Sequence, residues 1–184
     1  MSIDFSSCTV EELWRLVAAH LEKRGIGVVL VGGAVASVYT EDAYLSGDLD
    51  FVKEDLFVRQ EHVDEVMAEI GFQRKTRHYV HPECTQLFVE FVSGPVGIGE
   101  DTEIVPREVT QDGVTIKLLS PTDCVRDRLA GFIYHGGRDQ MDQAVLVASA
   151  HPVEWATIEK WAGGEAPGSE EAYAELRRRV KSAR

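Results

Sequence analysis

Gly27-Val28-Val29-Leu30-Val31-Gly32-Gly33, followed after a stretch of small residues by Ser46-Gly47-Asp48-Leu49-Asp50-Phe51-Val52, decides how this chain folds. The first run is apolar up to its glycine pair, as in a short buried strand that turns sharply into a helix. The second alternates carboxylates with apolar residues. Successive side chains of a strand point to opposite faces, so Asp48 and Asp50 share one face, and Leu49, Phe51 and Val52 supply the apolar anchorage. Two like charges side by side raise each other's pKa unless a cation lies between them. A hard divalent ion, held by a few carboxylates and by substrate phosphates, is the usual remedy. The glycine turn adds to this, because backbone can approach a phosphate closely there and a helix N-terminus favours negative charge.

Outward from this stretch, the pattern predicts a mixed order of elements. Thr9 followed by Glu12 reads as a capping box opening a helix that runs to about Arg24, with Leu13, Leu16, Val17 and Leu21 on one face. Residues 27–31 form a strand, the run from Gly33 to Tyr39 a compact helix, Asp48 to Lys53 a second strand, and Gln60 to Ile70 a helix closed by Gly71. Phe72 to Val80, Thr85 to Val92 and Val114 to Leu119 read as further strands, with a glycine-rich acidic loop from Ser93 to Asp101. After Ser120-Pro121 the texture becomes helical: Thr122–Phe132, Gln140–Ala150, Val153–Trp161 and Glu170–Lys181, with prolines at two helix starts. The expected fold class is α+β, a mixed sheet with flanking helices over residues 1–120 and a helical C-terminal part over 121–184 packed on it.

The bulk numbers narrow the function classes. With 184 residues, 44% hydrophobic and 27% charged, the chain is of ordinary globular composition. Its apolar runs are too short to cross a bilayer. Three scattered cysteines, Cys8, Cys84 and Cys124, form no disulfide framework, and with an acidic N-terminal segment they predict a cytoplasmic protein without a membrane role. A net charge of −12 argues against extended nucleic acid as a partner, since the average field repels a polyanion. The positive charge is nonetheless clustered, at Arg74, Lys75 and Arg77, at Arg126 and Arg128, and at Arg177, Arg178, Arg179, Lys181 and Arg184.

Apolar strand, Gly-Gly, short helix and Ser-x-Asp-x-Asp on an apolar strand resemble the nucleotidyltransferase superfamily related to DNA polymerase beta, in particular its small prokaryotic members, the minimal and abortive-infection toxin-like nucleotidyltransferases. The motif match covers roughly Val28 to Val52. The resemblance implies a nucleotidyltransferase-like fold and transfer of a nucleoside monophosphate from a nucleoside triphosphate to a hydroxyl acceptor on a small molecule, a protein or an RNA end. It implies Mg2+, or Mn2+ in its place, as cofactor. It assigns Asp48 and Asp50 to metal and triphosphate, and Glu90, the single charge in Leu87-Phe88-Val89-Glu90-Phe91-Val92, as third metal ligand and catalytic carboxylate. Gly32, Gly33 and Ser46 become nucleotide-binding. By likeness to the helical segment of toxin-like members, so do Arg128 and Asp139. In that branch a basic residue often precedes the Ser/Thr of the motif, where this chain has Tyr44-Leu45. The alternative reading is therefore a catalytically weak relative that acts as a binding or regulatory protein, such as one component of a toxin–antitoxin pair with a protein partner.

Other constellations carry less chemistry. His78, His81 and Cys84 are spaced by three, which alternates faces in a strand and suits zinc poorly. Gly94, Gly97 and Gly99 precede no helix and read as a surface loop. Arg126 and Arg138 read as members of helix-surface ion pairs, of little energetic worth. Trp155 and Trp161 read as core or interface residues.

Overall fold

Sheet and helices arise from two competing patterns in the chain, period-2 apolar runs and period-3.6 apolar stripes, and the computed structural model shows how they pack; it describes residues 3–41 and 43–183. Helix α1 (Val10–Lys23) opens on the reciprocal Thr9–Glu12 capping box and buries Leu13, Trp14, Val17 and Leu21. Strand β1 (Val28–Val31) runs into α2 (Gly32–Tyr39), and β2 (Asp48–Lys53) is followed by α3 (Gln60–Ala68). Then come β3 (Gln73–Lys75), β4 (His78–His81), β5 (Cys84–Val92), β6 (Arg107–Gln111) and β7 (Val114–Leu118). Helices α4 (Pro121–His135), α5 (Arg138–Ala150), α6 (Trp155–Ala162) and α7 (Ser169–Ser182) complete the described residues.

The strands form one mixed sheet in the order β3-β4-β5-β2-β1-β7-β6. At its centre β2 is antiparallel to β1 and parallel to β5, while β1 is parallel to β7. Leu49 and Phe51 of β2, Leu30 of β1 and Val89 of β5 are fully buried in a core shared with α1 and α3. The opposite face of the same strands carries Asp48 and Asp50. The α+β expectation is met: one mixed sheet buries the apolar face of its central strands against α1 and α3.

Two departures from the sequence expectation have clear causes. The segment from Phe72 to Val80 is a tight hairpin, β3 and β4, with Thr76 at a left-handed φ of 55° where a single strand was expected. Strand β6 was not expected at all, since Arg107-Glu108-Val109-Thr110-Gln111 is mostly polar and half or fully exposed at the sheet edge. Its signal was the turn: Asp112 and Gly113 have φ of 50° and 80°, the pair of left-handed residues that closes a two-residue hairpin.

Arg126 corrects a further expectation. Its side chain is only 5% exposed, bonded to Asp123 Oδ1 at 2.9 Å and to Asp101, with its guanidinium 5.6 Å from the Trp161 ring centre. The helix α4 stripe faces α6 there, so a residue read as surface becomes the pin between the loop at Asp101 and the helical part. Arg138, by contrast, is exposed at the start of α5, as a surface residue should be. Of the basic tail, Arg184 lies outside the described residues; Arg177 lies over the Trp155 ring at 4.2 Å and Arg179 pairs with Asp142. Cys8 and Cys84 are buried thiols with their sulfurs 3.8 Å apart. No helix among the described residues is long and apolar enough to cross a membrane.

Removing the guanidinium strands Asp123, itself 14% exposed, beside an emptied site. Arg126→Ala is expected to lower unfolding free energy by about 3 kcal/mol, the scale of breaking a buried ion pair from one side. Arg126→Met, which keeps the packing against Trp161, is expected to lose less. Urea denaturation of both variants checks the order.

Candidate functional site

Strand pairing places the carboxylates before any side chain rotates. In parallel pairing of β2 with β5, Asp50 is the register partner of Glu90, and in the antiparallel pairing with β1 it is the partner of Val31. Directly opposed residues put their side chains on one face. Asp48 is two residues away on the same strand and hence the same face. Asp48, Asp50 and Glu90 thus lie together on the sheet face that the core does not use. All three are half-buried.

The glycine turn abuts this group. Gly32 has φ of +74°, and a Cβ built there would lie 2.8 Å from Asp50 Oδ2. Both the backbone conformation and the carboxylate therefore demand glycine. Gly33 is nearly as confined, with a Cβ position 3.1 Å from Ser46 Oγ. Helix α2 starts here with Val31 as N-cap and no side-chain cap, so its first backbone N–H groups have no capping acceptor from that residue. Ser46 is buried; its N–H donates to Ser37 Oγ at 2.9 Å and its hydroxyl to Asp48 Oδ1 at 2.8 Å. That bond fixes the Asp48 carboxylate against the turn.

The helical part supplies the far wall. Arg128 of α4 donates to Asp127 Oδ2 from Nη2 at 2.7 Å and from Nε at 3.1 Å, and its Nη1 reaches Gln143 Oε1 of α5 at 3.3 Å. Gln143 in turn donates to Asp139 Oδ2 at 3.5 Å. Burial works against the guanidinium's charge, but Asp127, Cys124 and Asp50 together hold it above its ordinary value. Tyr44 belongs to the same wall. Burial, then Asp139 and Asp48, push its hydroxyl up, while Arg128 opposes them. The structure thus brings Asp48, Asp50, Glu90, Gly32, Gly33 and Ser46 together and faces them with Arg128 and Asp139. Tyr44, Asp127 and Gln143 are the members that the sequence reading did not single out. Only adjacency to Ser46 and to Arg128 hinted at the first two, and nothing local marked Gln143.

Burial, then Asp48 and then Glu90, push the Asp50 carboxyl up to about 6, with Arg128 pulling the other way. A carboxyl in that position is short of positive charge. Among the described residues no three His, Cys, Asp or Glu side chains already converge on one metal position. The reason is visible: Asp48 is drawn to Ser46, and Glu90 has Arg77 Nε at 3.4 Å. Magnesium needs no closed protein cage, since it usually takes one or two carboxylates and completes its shell with waters and phosphate oxygens. The donor set of hard carboxylate oxygens around an unrelieved negative charge fits that ion.

The raised pKa has a sign that can be tested. Asp50 binds its proton more tightly in the fold than in the unfolded chain, so its contribution to stability is present below about pH 4 and lost as pH rises through about 6. Asp50→Asn removes that loss. The variant is expected to equal the wild type near pH 4 and to be more stable at pH 8, by about 2 kcal/mol after allowing for solvent screening. Thermal denaturation across pH checks it; a variant less stable at pH 8 overturns the assignment of uncompensated charge.

The remaining candidates lie elsewhere. The His81 ring stacks on Phe5 at 3.8 Å and accepts the Glu83 N–H at Nδ1, and Cys84 neighbours Cys8. His78 is on the opposite strand face from the core residue Tyr79, in register with Glu90. Gly94 packs over Val52, where a Cβ would be 2.7 Å from its methyl, so this loop covers one end of the acidic face.

No family model matches the sequence, and no curated protein matches it significantly. Solved structures do. An antigenic nucleotidyltransferase-like protein from Paracoccidioides brasiliensis superposes with a TM-score of 0.63 at 14% identity, covering 94% of this chain and 89% of that one. The antibiotic-resistance factor ANT(2'')-Ia superposes in solution with a TM-score of 0.51 at 11% identity, covering 95% and 94%. Its crystal structure with adenylyl-2''-tobramycin gives 0.50 at 12% identity, covering 92% and 97%. At these identities the likeness speaks for the backbone and its topology. The chain has the nucleotidyltransferase fold.

Proposed function

We propose that this protein transfers a nucleoside monophosphate from a nucleoside triphosphate to a hydroxyl acceptor, with a divalent metal, magnesium or manganese, held by Asp48 and Asp50. The observation that carries the reading is the register of Asp50 with Glu90 beside the uncapped start of α2, in a fold shared with nucleotidyltransferase-like proteins. Gly32 and Gly33 bring backbone N–H groups to the triphosphate, and the positive end of the α2 dipole favours its charge. Ser46 orients Asp48 through its hydroxyl bond. Arg128, paired with Asp127 yet close enough to Asp50 to feel its charge, faces the triphosphate from the helical side. Asp139 holds Gln143, and Gln143 braces Arg128.

Asp48 and Asp50 would hold the divalent ion, which when bound would supply neutralisation of the triphosphate and of the charge on the leaving pyrophosphate. The chain's own residues do the rest. Glu90 stands on the side of Asp50 away from the glycine turn and takes the proton of the attacking hydroxyl. The acceptor oxygen bonds to the α-phosphorus as the bond to pyrophosphate breaks, and positioning by the sheet contributes most of the protein's share.

Pyrophosphate release and labelling from each triphosphate with Mg2+ test the proposal. Asp48→Asn and Asp50→Asn are each expected to lose activity by on the order of 100-fold or more, the scale of several kcal/mol of charge stabilisation. Chelation is expected to abolish it reversibly. Metal-dependent triphosphate binding without turnover favours the alternative, a regulatory member of a toxin–antitoxin pair. Absence of such binding overturns both.

A further inference from the structure

One row of register partners crosses five strands on the acidic face. Lys75 of β3 pairs with His78 of β4, His78 with Glu90 of β5, Glu90 with Asp50 of β2, and Asp50 with Val31 of β1. Partners share a face, so the row reads from cationic edge through the carboxylates to the glycine turn. Neighbouring strands are about 4.8 Å apart, which sets His78 roughly 10 Å from Asp50 and Lys75 roughly 14 Å away. The hairpin turn between them adds Arg77, whose side chain is 83% exposed and whose ion pair reaches Glu90 at 3.4 Å. Lys75 is exposed too. Arg74 is excluded from this group: it pairs in register with Tyr79 on the core face and bonds Asp64 of α3.

The triphosphate, in the reading above on which this step rests, occupies the glycine end of the row. An acceptor then meets Glu90 from the other end, across His78, whose ring lies 5.0 Å from that of Phe88. What it encounters there is positive. We infer that the acceptor is a hydroxyl compound bearing a phosphate, seated with its hydroxyl at Glu90 and its anionic group against Lys75, Arg77 and His78. A polycationic acceptor would face the wrong sign of charge at this edge. The overall charge of −12 confines the attraction to this short lip and disfavours a long polyanion.

Calorimetric titration of the full chain, without metal or nucleotide, separates the cases with four probes: ribose 5-phosphate, neutral ribose, pentauridylate and tobramycin. Ribose 5-phosphate is expected to bind where ribose does not, and Lys75→Ala/Arg77→Ala to weaken it about tenfold, the loss of roughly one good ionic contact. Both replaced side chains are exposed, so the fold is preserved, and a far-ultraviolet spectrum identical to wild type confirms it. Tighter and equally sensitive binding of pentauridylate identifies a nucleic-acid end as the source of the phosphate; weaker binding identifies a small molecule. Equal affinity of wild type and variant, tobramycin binding above both phosphate probes, or binding of neither phosphate probe overturns the inference. A parallel titration with magnesium and triphosphate reads the nucleotide end separately. Its failure removes the transferase reading while the phosphate lip still stands or falls on its own probes.

Discussion

Three carboxylates held on one sheet face constrain most of what surrounds them. The parallel pairing of β2 with β5 fixes Asp50 against Glu90, and the strand period fixes Asp48 beside them. Backbone hydrogen bonds, not the carboxylates, hold this arrangement, because like charges at such spacing repel. The cost is met by the apolar side of the same strands, where Leu49, Phe51 and Val89 are fully buried. A strand that is half core and half charge is thus the unit that both folds the protein and strains it.

The neighbours answer that strain locally. Ser46 donates to Asp48, Arg77 lies near Glu90, and Arg128 lowers the charge felt by Asp50 without reaching it as an ion-pair partner. Each response leaves the carboxylates partly unmet, which keeps Asp50 protonatable near neutrality. The same trait that weakens the fold is what the proposed binding of a hard cation and a triphosphate would relieve. Arg126, by contrast, is paired through its two terminal nitrogens with Asp123 and Asp101, is packed on Trp161, and ties loop to helices, although its buried Nε has no partner.

Much of this was legible in the chain. The Gly32-Gly33 turn and the Asp48/Asp50 alternation are local patterns, and local patterns survive folding when they agree with the core. Glu90 was legible for a related reason, as a lone charge in an apolar strand that needs a partner or a task. Strand β6 and the β3–β4 hairpin were missed because edge strands need little apolar alternation, and their evidence sat in turn residues such as Asp112-Gly113. Arg126 was misjudged because helical spacing gives the face of a residue and not what packs on that face.

By itself the sequence determined which residues alternate, where the chain must turn through glycine, and that one strand face carries Asp48 and Asp50. Those follow from backbone geometry within a few residues. Only the tertiary structure decided that Glu90 stands in register with Asp50, that Arg128 and Tyr44 close the site from the helical side, and that Lys75 and His78 continue the row outward. Register between distant strands depends on how every apolar face finds cover at once, a global condition that no local pattern contains.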